Sequence, residues 1–215
     1  MATVPLPAEQ HLILDDIDWD DYTRMLRAVG SRPGVRLTYD RGRLEIMTLS
    51  HEHESYAHLL GRLVVGLTEA LGLPIKGGKS TTFRRRRRRR GLEPDECYWI
   101  ASEALVRGKN RISLRTDPPP DLGLEIDITH SSLDRLAIYL ALRIPEVWRL
   151  EGGYIVCYVL DSDGHYTTSP ISRVFPGLVV NELVQFLALR GQMDENAIVE
   201  RLRGWARQSL GRGNP

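Results

Sequence analysis

The sequence predicts an α/β (α+β) domain, and three observations carry that prediction. Residues 119–150 read as a strand, a helix and a second strand; residues 35–49 read as a hairpin; an amphipathic helix spans residues 50–72. The order hairpin, helix, strand, strand, strand, helix, strand interleaves the two kinds of element. With 215 residues, 42% of them apolar, the chain suffices for one domain over residues 1–215 with a real core, residues 1–15 and 206–215 being peripheral.

Taken in order, residues 18–29 set Trp19, Tyr22, Met25, Leu26 and Val29 at helical spacing, and Gly30 and Pro33 close this short packing helix. In the hairpin, Leu37 and Tyr39 pair with Leu44 and Ile46 across a turn at Asp40, Arg41 and Gly42, which leaves Glu45 on the other face. Ser50 caps the long helix, whose stripe is Leu59, Leu60, Leu63, Val64, Leu67 and Leu71. Its first turn carries His51 and His53, which at a spacing of two share no helical face and make a poor metal pair, so both are read as surface histidines. A helix start beside acids nevertheless keeps His53 as an accessory candidate.

Residues 79–83 and 92–100 are read as the next strands. In the second, Glu93, Asp95, Cys97 and Trp99 share one face. An acid among Cys97, Trp99 and Ile100 is partly desolvated, which raises its pKa unless a cation or hydrogen bonds hold the charged form. Residues 101–111 form a short helix or loop, and residues 117–120 lead stiffly into the acidic strand. There Leu122, Leu124, Ile126 and Ile128 point one way, and Gly123, Glu125 and Asp127 the other. Two carboxylates roughly 7 Å apart on one face repel unless a cation lies near or the face is open to water.

Thr129, Ser131 and Ser132 are N-cap candidates for a helix starting near Leu133, with Leu136, Tyr139, Leu140 and Leu142 as its stripe. Arg135 then falls in the first turn, where the helix dipole disfavours a cation. Aimed back at the strand, it meets Glu125 and Asp127 or a phosphate held beside them; aimed outward, it is a solvated arginine. Strands over residues 146–150 and 154–160, hinged at Gly152 and Gly153, precede a third at 165–169. Closing helices cover residues 183–189 and 196–209.

Net charge is +1, yet Arg84, Arg85, Arg86, Arg87, Arg88, Arg89 and Arg90 are consecutive. Without these seven the 29 basic residues fall to 22 against 28 acidic. Such a run repels itself, which predicts a flexible loop tip, and it is suited to nucleic-acid phosphates, to solvent or to a localisation signal. Cys97 and Cys157 lie in separate apolar runs and are expected as buried thiols in a reducing cytosol. No apolar run approaches a membrane span, and the first sixteen residues lack the basic start and apolar core of a signal peptide, so a cytoplasmic protein is expected. P-loop, dinucleotide and zinc-spacing motifs are missing from the sequence, so ATP, NAD and structural zinc are not expected.

Four stretches, GRLEIMTLSHEHE, GLEPDECYWI, PPDLGLEIDIT and SSLDRLAIYLALRIPEVWRL, together resemble the Uma2 family of restriction endonucleases within the PD-(D/E)XK nuclease superfamily. The similarity runs from about residue 16 to residue 186. It implies a restriction-endonuclease-like mixed central sheet flanked by helices, here with an N-terminal hairpin, and a divalent metal, Mg²⁺ or Mn²⁺, held by two acids. Carried over, PD falls on Pro94 and Asp95, the strand acid is Glu125, and the Ile126 carbonyl is a third ligand. Asp127 stands where the pattern has lysine, and is either an acid supporting those ligands or a further ligand. The lysine that many members carry on the next helix aligns with Arg135, which clamps phosphate but is too basic to accept a proton readily. Glu45 extends the acidic cluster from the hairpin.

Oxygen donors suit Mg²⁺ or Mn²⁺, and phosphodiester hydrolysis needs a cation that neutralises phosphate and acidifies water. The function expected is a metal-dependent endonuclease acting on DNA, and by analogy a homodimer, since double-strand cleavage needs two sites. Two other classes stay open. A nuclease-fold nucleic-acid-binding module would lack catalysis, and the missing lysine is its argument. A glycoside hydrolase also uses two carboxylates, but its cleft wants stacked aromatics, which here are 7% of residues and sit in core-like patterns.

Overall fold

In the computed structural model, which describes residues 9–30, 32, 34–79, 81–128 and 133–211, the chain builds two sheets. The first is antiparallel, in the order β1-β3-β2-β6-β5, from β1 (Gln10–Leu14), β2 (Val35–Asp40), β3 (Arg43–Thr48), β5 (Phe83–Arg85) and β6 (Arg90–Leu92). The second is mixed, in the order β11-β10-β9-β8-β7-β4, from β4 (Lys76–Gly77), β7 (Glu96–Trp99), β8 (Leu122–Asp127), β9 (Glu146–Glu151), β10 (Tyr154–Leu160) and β11 (Tyr166–Ser169). Among the described strands only β8 and β9 run parallel, which needs a crossover connection, here carrying helix α4 (Arg135–Leu142). This is the mixed α/β architecture expected.

Local chemistry accounts for the helices. In α1 (Trp19–Val29) the Asp18 carboxylate accepts from the Asp21 N–H at 2.7 Å, and Gly30 closes the helix. Its Tyr22 ring stacks on Tyr39 of the hairpin, 4.6 Å between centroids, which fixes helix to sheet. Helix α2 (His51–Leu71) is capped by Ser50 and ends at a left-handed Gly72. Leu59, Leu60, Leu63, Val64 and Leu67 are buried against Leu122, Leu124 and Ile126 of β8, together with Ile198, Val199 and Leu202 of α6 (Glu195–Ser209). The opposite face of the mixed sheet packs Cys97, Trp99 and Val147 against Ile138, Tyr139 and Leu142 of α4. Both cysteines are buried free thiols.

Several expectations need correction. The stretch 92–100 is not one strand: Leu92 ends β6 in the first sheet and Glu96 starts β7 in the second, because Pro94 offers no N–H to a ladder. Asp95 sits in that crossing. The strand expected over residues 79–83 is instead β5, the short helix or loop expected over 101–111 holds α3 (Glu103–Val106), and the closing helix expected over 183–189 is a 3₁₀ turn (Val180–Leu183) running into α5 (Val184–Leu187). Strand β1, which pairs with β3, was not anticipated. The cap of α4 is Asp134, whose carboxylate accepts from Ala137 N–H at 3.0 Å; Thr129, Ser131 and Ser132 lie outside the described residues.

The arginine run is an ordered hairpin tip and not a flexible loop. Arg84 and Arg85 belong to β5, residues Arg86–Arg88 make one 3₁₀ turn, and Arg89 takes a left-handed φ of 49° that returns the chain into β6. Self-repulsion is overcome by anchoring. Arg90 donates to Asp40 at 2.7 Å and to the Ala137 carbonyl at 2.9 Å, Arg85 to the Leu142 carbonyl at 3.3 Å, and Arg89 to the Tyr39 hydroxyl at 3.3 Å.

Candidate active site

Strand β8 is the floor of the site, because its alternation sends Leu122, Leu124 and Ile126 into the α2 core and turns Gly123, Glu125 and Asp127 toward α4. Gly123 is needed there, since a Cβ at that position would lie 2.9 Å from Tyr139 Cε1. Glu125 is buried. Its Oε1 accepts from the Tyr139 hydroxyl and from Arg135 Nη2 at 3.0 Å, and its Oε2 lies 2.8 Å from Arg135 Nε.

The first-turn position of Arg135, unfavourable for a cation by the helix dipole, is therefore compensated by a buried carboxylate. The guanidinium also donates to Thr38 Oγ1 at 3.2 Å and to the Glu93 carbonyl at 3.4 Å, and Nη1 stands 3.8 Å from Glu45 Oε2. It thus ties the mixed sheet to the antiparallel one. Burial pushes the Glu125 carboxyl up, to about 7, against the pull of Arg135 and with a further push from Asp95. Burial opposes the Arg135 charge, but Glu125 outweighs it and holds the guanidinium protonated.

Asp95 reaches the same region from the crossing between sheets and is 1% exposed. Its Oδ2 accepts from the Ile126 N–H at 2.8 Å, which pins it beside β8. Among the described residues its Oδ1 has no hydrogen-bond partner. That is costly for a buried carboxylate oxygen. Burial alone would raise this carboxyl, but His53, Arg135 and the Ile126 N–H together hold it below the usual range.

His53 overturns the surface reading. It is fully buried, with Nε2 3.3 Å from Asp95 Oδ2 and 3.8 Å from Glu9 Oε1. Neither ring nitrogen has an aligned hydrogen bond among the described residues. Burial disfavours its protonation, yet Asp95, Glu9 and Glu125 raise its pKa above the ordinary value. His51, two positions earlier, is exposed.

The remaining candidates divide. Glu45 is fully buried and contacts His11 Nδ1 at 3.1 Å as well as Arg135. Asp127 pairs with Arg149 of β9, which also meets Glu151 at 3.0 Å, so a neighbouring strand supplies its countercharge. Glu9, His11, Glu125, Asp127, Arg135 and Arg149 line one pocket. Sequence reasoning missed His11, Tyr139 and Arg149; the parallel register that sets Glu125 beside Arg149 is not visible in local patterns. The arginine tip adjoins α4 through Arg85 and Arg90, and Arg84, Arg86, Arg87, Arg88 and Arg89 are exposed.

Among the described residues no three His, Cys, Asp or Glu side chains form a ready metal cage. Mg²⁺ and Mn²⁺ need none, since one or two carboxylates with water and substrate oxygens complete the shell, and the unpartnered Asp95 Oδ1 near Glu125 fits that demand. No described helix is long and apolar enough to cross a membrane. Among curated proteins no match to the chain is found. The profile of one family does match, over residues 19–190; it is Uma2, described as putative restriction endonuclease.

Proposed function

Because the chain belongs to the Uma2 family of putative restriction endonucleases, we propose that it hydrolyses phosphodiester bonds in DNA with a divalent ion at Asp95 and Glu125. The observation that carries this reading is the buried Asp95 Oδ1, unpartnered among the described residues, in a carboxyl group that interacts electrostatically with the buried Glu125. Mg²⁺ or Mn²⁺ bound there would neutralise phosphate charge and acidify a water molecule. Asp95 is held in place by the Ile126 N–H and kept ionised with help from His53. Glu125 offers the second carboxylate, and the Ile126 carbonyl completes the protein ligands by analogy with the superfamily.

Arg135 stays charged at any working pH, so its role is to bind negative charge and not to take a proton from water. Asp127, already paired with Arg149, supports the pocket wall, while Glu45 and His53 set the charge balance behind it. The exposed arginines at the hairpin tip contact the DNA backbone. Double-strand cleavage would call for two copies of the site, hence a homodimer.

The test is supercoiled plasmid with purified protein and Mn²⁺ or Mg²⁺. Nicking or linearisation that a chelator abolishes is expected, with a loss of at least about 100-fold in Asp95→Asn and Glu125→Gln, the range seen when transition-state charge stabilisation is removed. Undiminished cleavage by both variants rejects the assignment. A second reading rests on arginine standing at the lysine position: DNA binding without cleavage by the wild type would make the chain a nuclease-fold binding module.

A further inference from the structure

Arg135 and a metal ion would compete for the same carboxylate. Every oxygen of Glu125 already faces the guanidinium: Nη2 donates to Oε1 at 3.0 Å, and Nε lies 2.8 Å from Oε2. The Tyr139 hydroxyl adds a second donor to Oε1, which among the described residues leaves Oε2 as the oxygen held by Arg135 alone. That contact is poorly aligned, because among the described residues the Arg135 Nε makes no hydrogen bond although it is buried. A divalent ion placed beside an undisplaced guanidinium meets repulsion that a buried site screens poorly.

Arg135 has other partners to keep when it releases Oε2. Thr38 Oγ1, the Glu93 carbonyl and Glu45 Oε2 already surround its other two nitrogens at 3.2, 3.4 and 3.8 Å. A small rotation of the guanidinium away from Oε2 therefore keeps it paired with Glu45 and Thr38. We propose that Arg135 is a built-in countercation that fills the Glu125 half of the site before the divalent ion arrives, and that loading the ion means exchanging the Arg135 Nε contact at Oε2. Arg135 thereby sets the metal affinity of the centre. This rests on the endonuclease reading above only for the identity of the ligand as a divalent cation.

The experiment titrates Mn²⁺ alone, by calorimetry and by thermal shift, into the wild type, Arg135→Gln, Arg135→Lys and the double variant Arg135→Gln/Glu125→Gln. Arg135→Gln is expected to bind Mn²⁺ at least tenfold more tightly than the wild type. Arg135→Lys, which keeps the charge but cannot span both oxygens, should fall between them, and it decides the matter if the glutamine variant does not fold. The double variant should lose the gain. A merely structural arginine would lower the metal-free unfolding midpoint while leaving the Mn²⁺-induced shift as in the wild type; Arg135→Gln should show a lower midpoint and a larger shift. Equal or weaker Mn²⁺ binding by folded Arg135→Gln and Arg135→Lys, with the wild type still binding, overturns the exchange and leaves the endonuclease reading standing. An absence of Mn²⁺ binding in the wild type and every variant defeats both.

Discussion

The arginine tip gives the most direct quantitative test of a DNA role, because the fold separates its anchoring arginines from its free ones. Arg85, Arg89 and Arg90 hold the hairpin to Leu142, Tyr39, Asp40 and Ala137, so deleting the whole run would dismantle a strand pair and say nothing about DNA. Arg86, Arg87 and Arg88 are exposed and form the turn, and the one ion pair of Arg86, with Asp20 at 3.6 Å, is solvent-screened. The perturbation is therefore Arg86→Gln/Arg87→Gln/Arg88→Gln. If each neutralises one phosphate, the slope of log K against log salt should flatten by about 2.7, from about 0.9 per contact. Between 50 and 200 mM salt the gap between wild type and variant should shrink by roughly 40-fold on the same basis. Surface changes of this kind alter stability by no more than about 0.5 kcal/mol, so the unfolding midpoint checks that the hairpin is intact. Fluorescence anisotropy with a labelled duplex across a salt series is the assay. A slope equal to the wild type would refute the phosphate role and assign the three side chains to solvent.

Three further outcomes are expected. Gly123→Ala drives a methyl group to 2.9 Å from the buried Tyr139 ring, so urea denaturation should show a loss of about 1–3 kcal/mol, and cleavage should fall as Tyr139 is pushed off Glu125; unchanged stability would mean that α4 yields freely. Burial pushes the Asp40 carboxyl up, but bonds from Arg90 and Arg41 outweigh it and leave the pKa below the usual 3.8, so its contribution is present above 3.8 and is lost as pH falls below; Asp40→Asn, costing about 2 kcal/mol at pH 7, should remove that part of the acid-side decline, and identical acid unfolding curves would contradict the pairing. Chelation of divalent ions should leave the circular dichroism spectrum and the unfolding midpoint of freshly purified protein within about 2 °C, a shift corresponding to less than 1 kcal/mol, because Arg135 already supplies positive charge to Glu125 and the Ile126 N–H holds Asp95; collapse in chelator would show that the ion is a folding requirement.

What could be read from the sequence follows the range of the physics. The Ser50 cap, the Gly72 stop, the pairing of Leu37 with Ile46 and the apolar row of β8 depend on neighbours within a turn or a strand, and the chain states them locally. The break at Pro94 was also legible in principle, since a proline between two ladders leaves one of them without a donor, but the alternation of residues 92–100 concealed it. His53 was not legible. Whether a histidine in the first turn of a helix faces water or Asp95 depends on a crossing between two sheets about forty residues later in the chain, and helical spacing carries none of that information. The pairing of Arg149 with Asp127 was hidden for the same reason, because it follows from a parallel register created by the crossover helix.

The charge arrangement explains why an arginine can occupy the start of α4 at all. A cation in a first helical turn, buried beside a strand, carries a dipole penalty and a desolvation penalty together. Glu125 on one side and Glu45 on the other offset both. The arginine and the two acids are thus one unit, and a lysine there would supply a single compact charge in place of a plane that spans Glu125, Thr38, Glu45 and the Glu93 carbonyl at once. Substituting lysine should therefore loosen the junction between the two sheets even though the net charge is unchanged. The residue that lines the pocket beside Glu125 is the same residue that joins the antiparallel sheet to the mixed one, so its place at the site and its place in the fold answer to a single geometric demand.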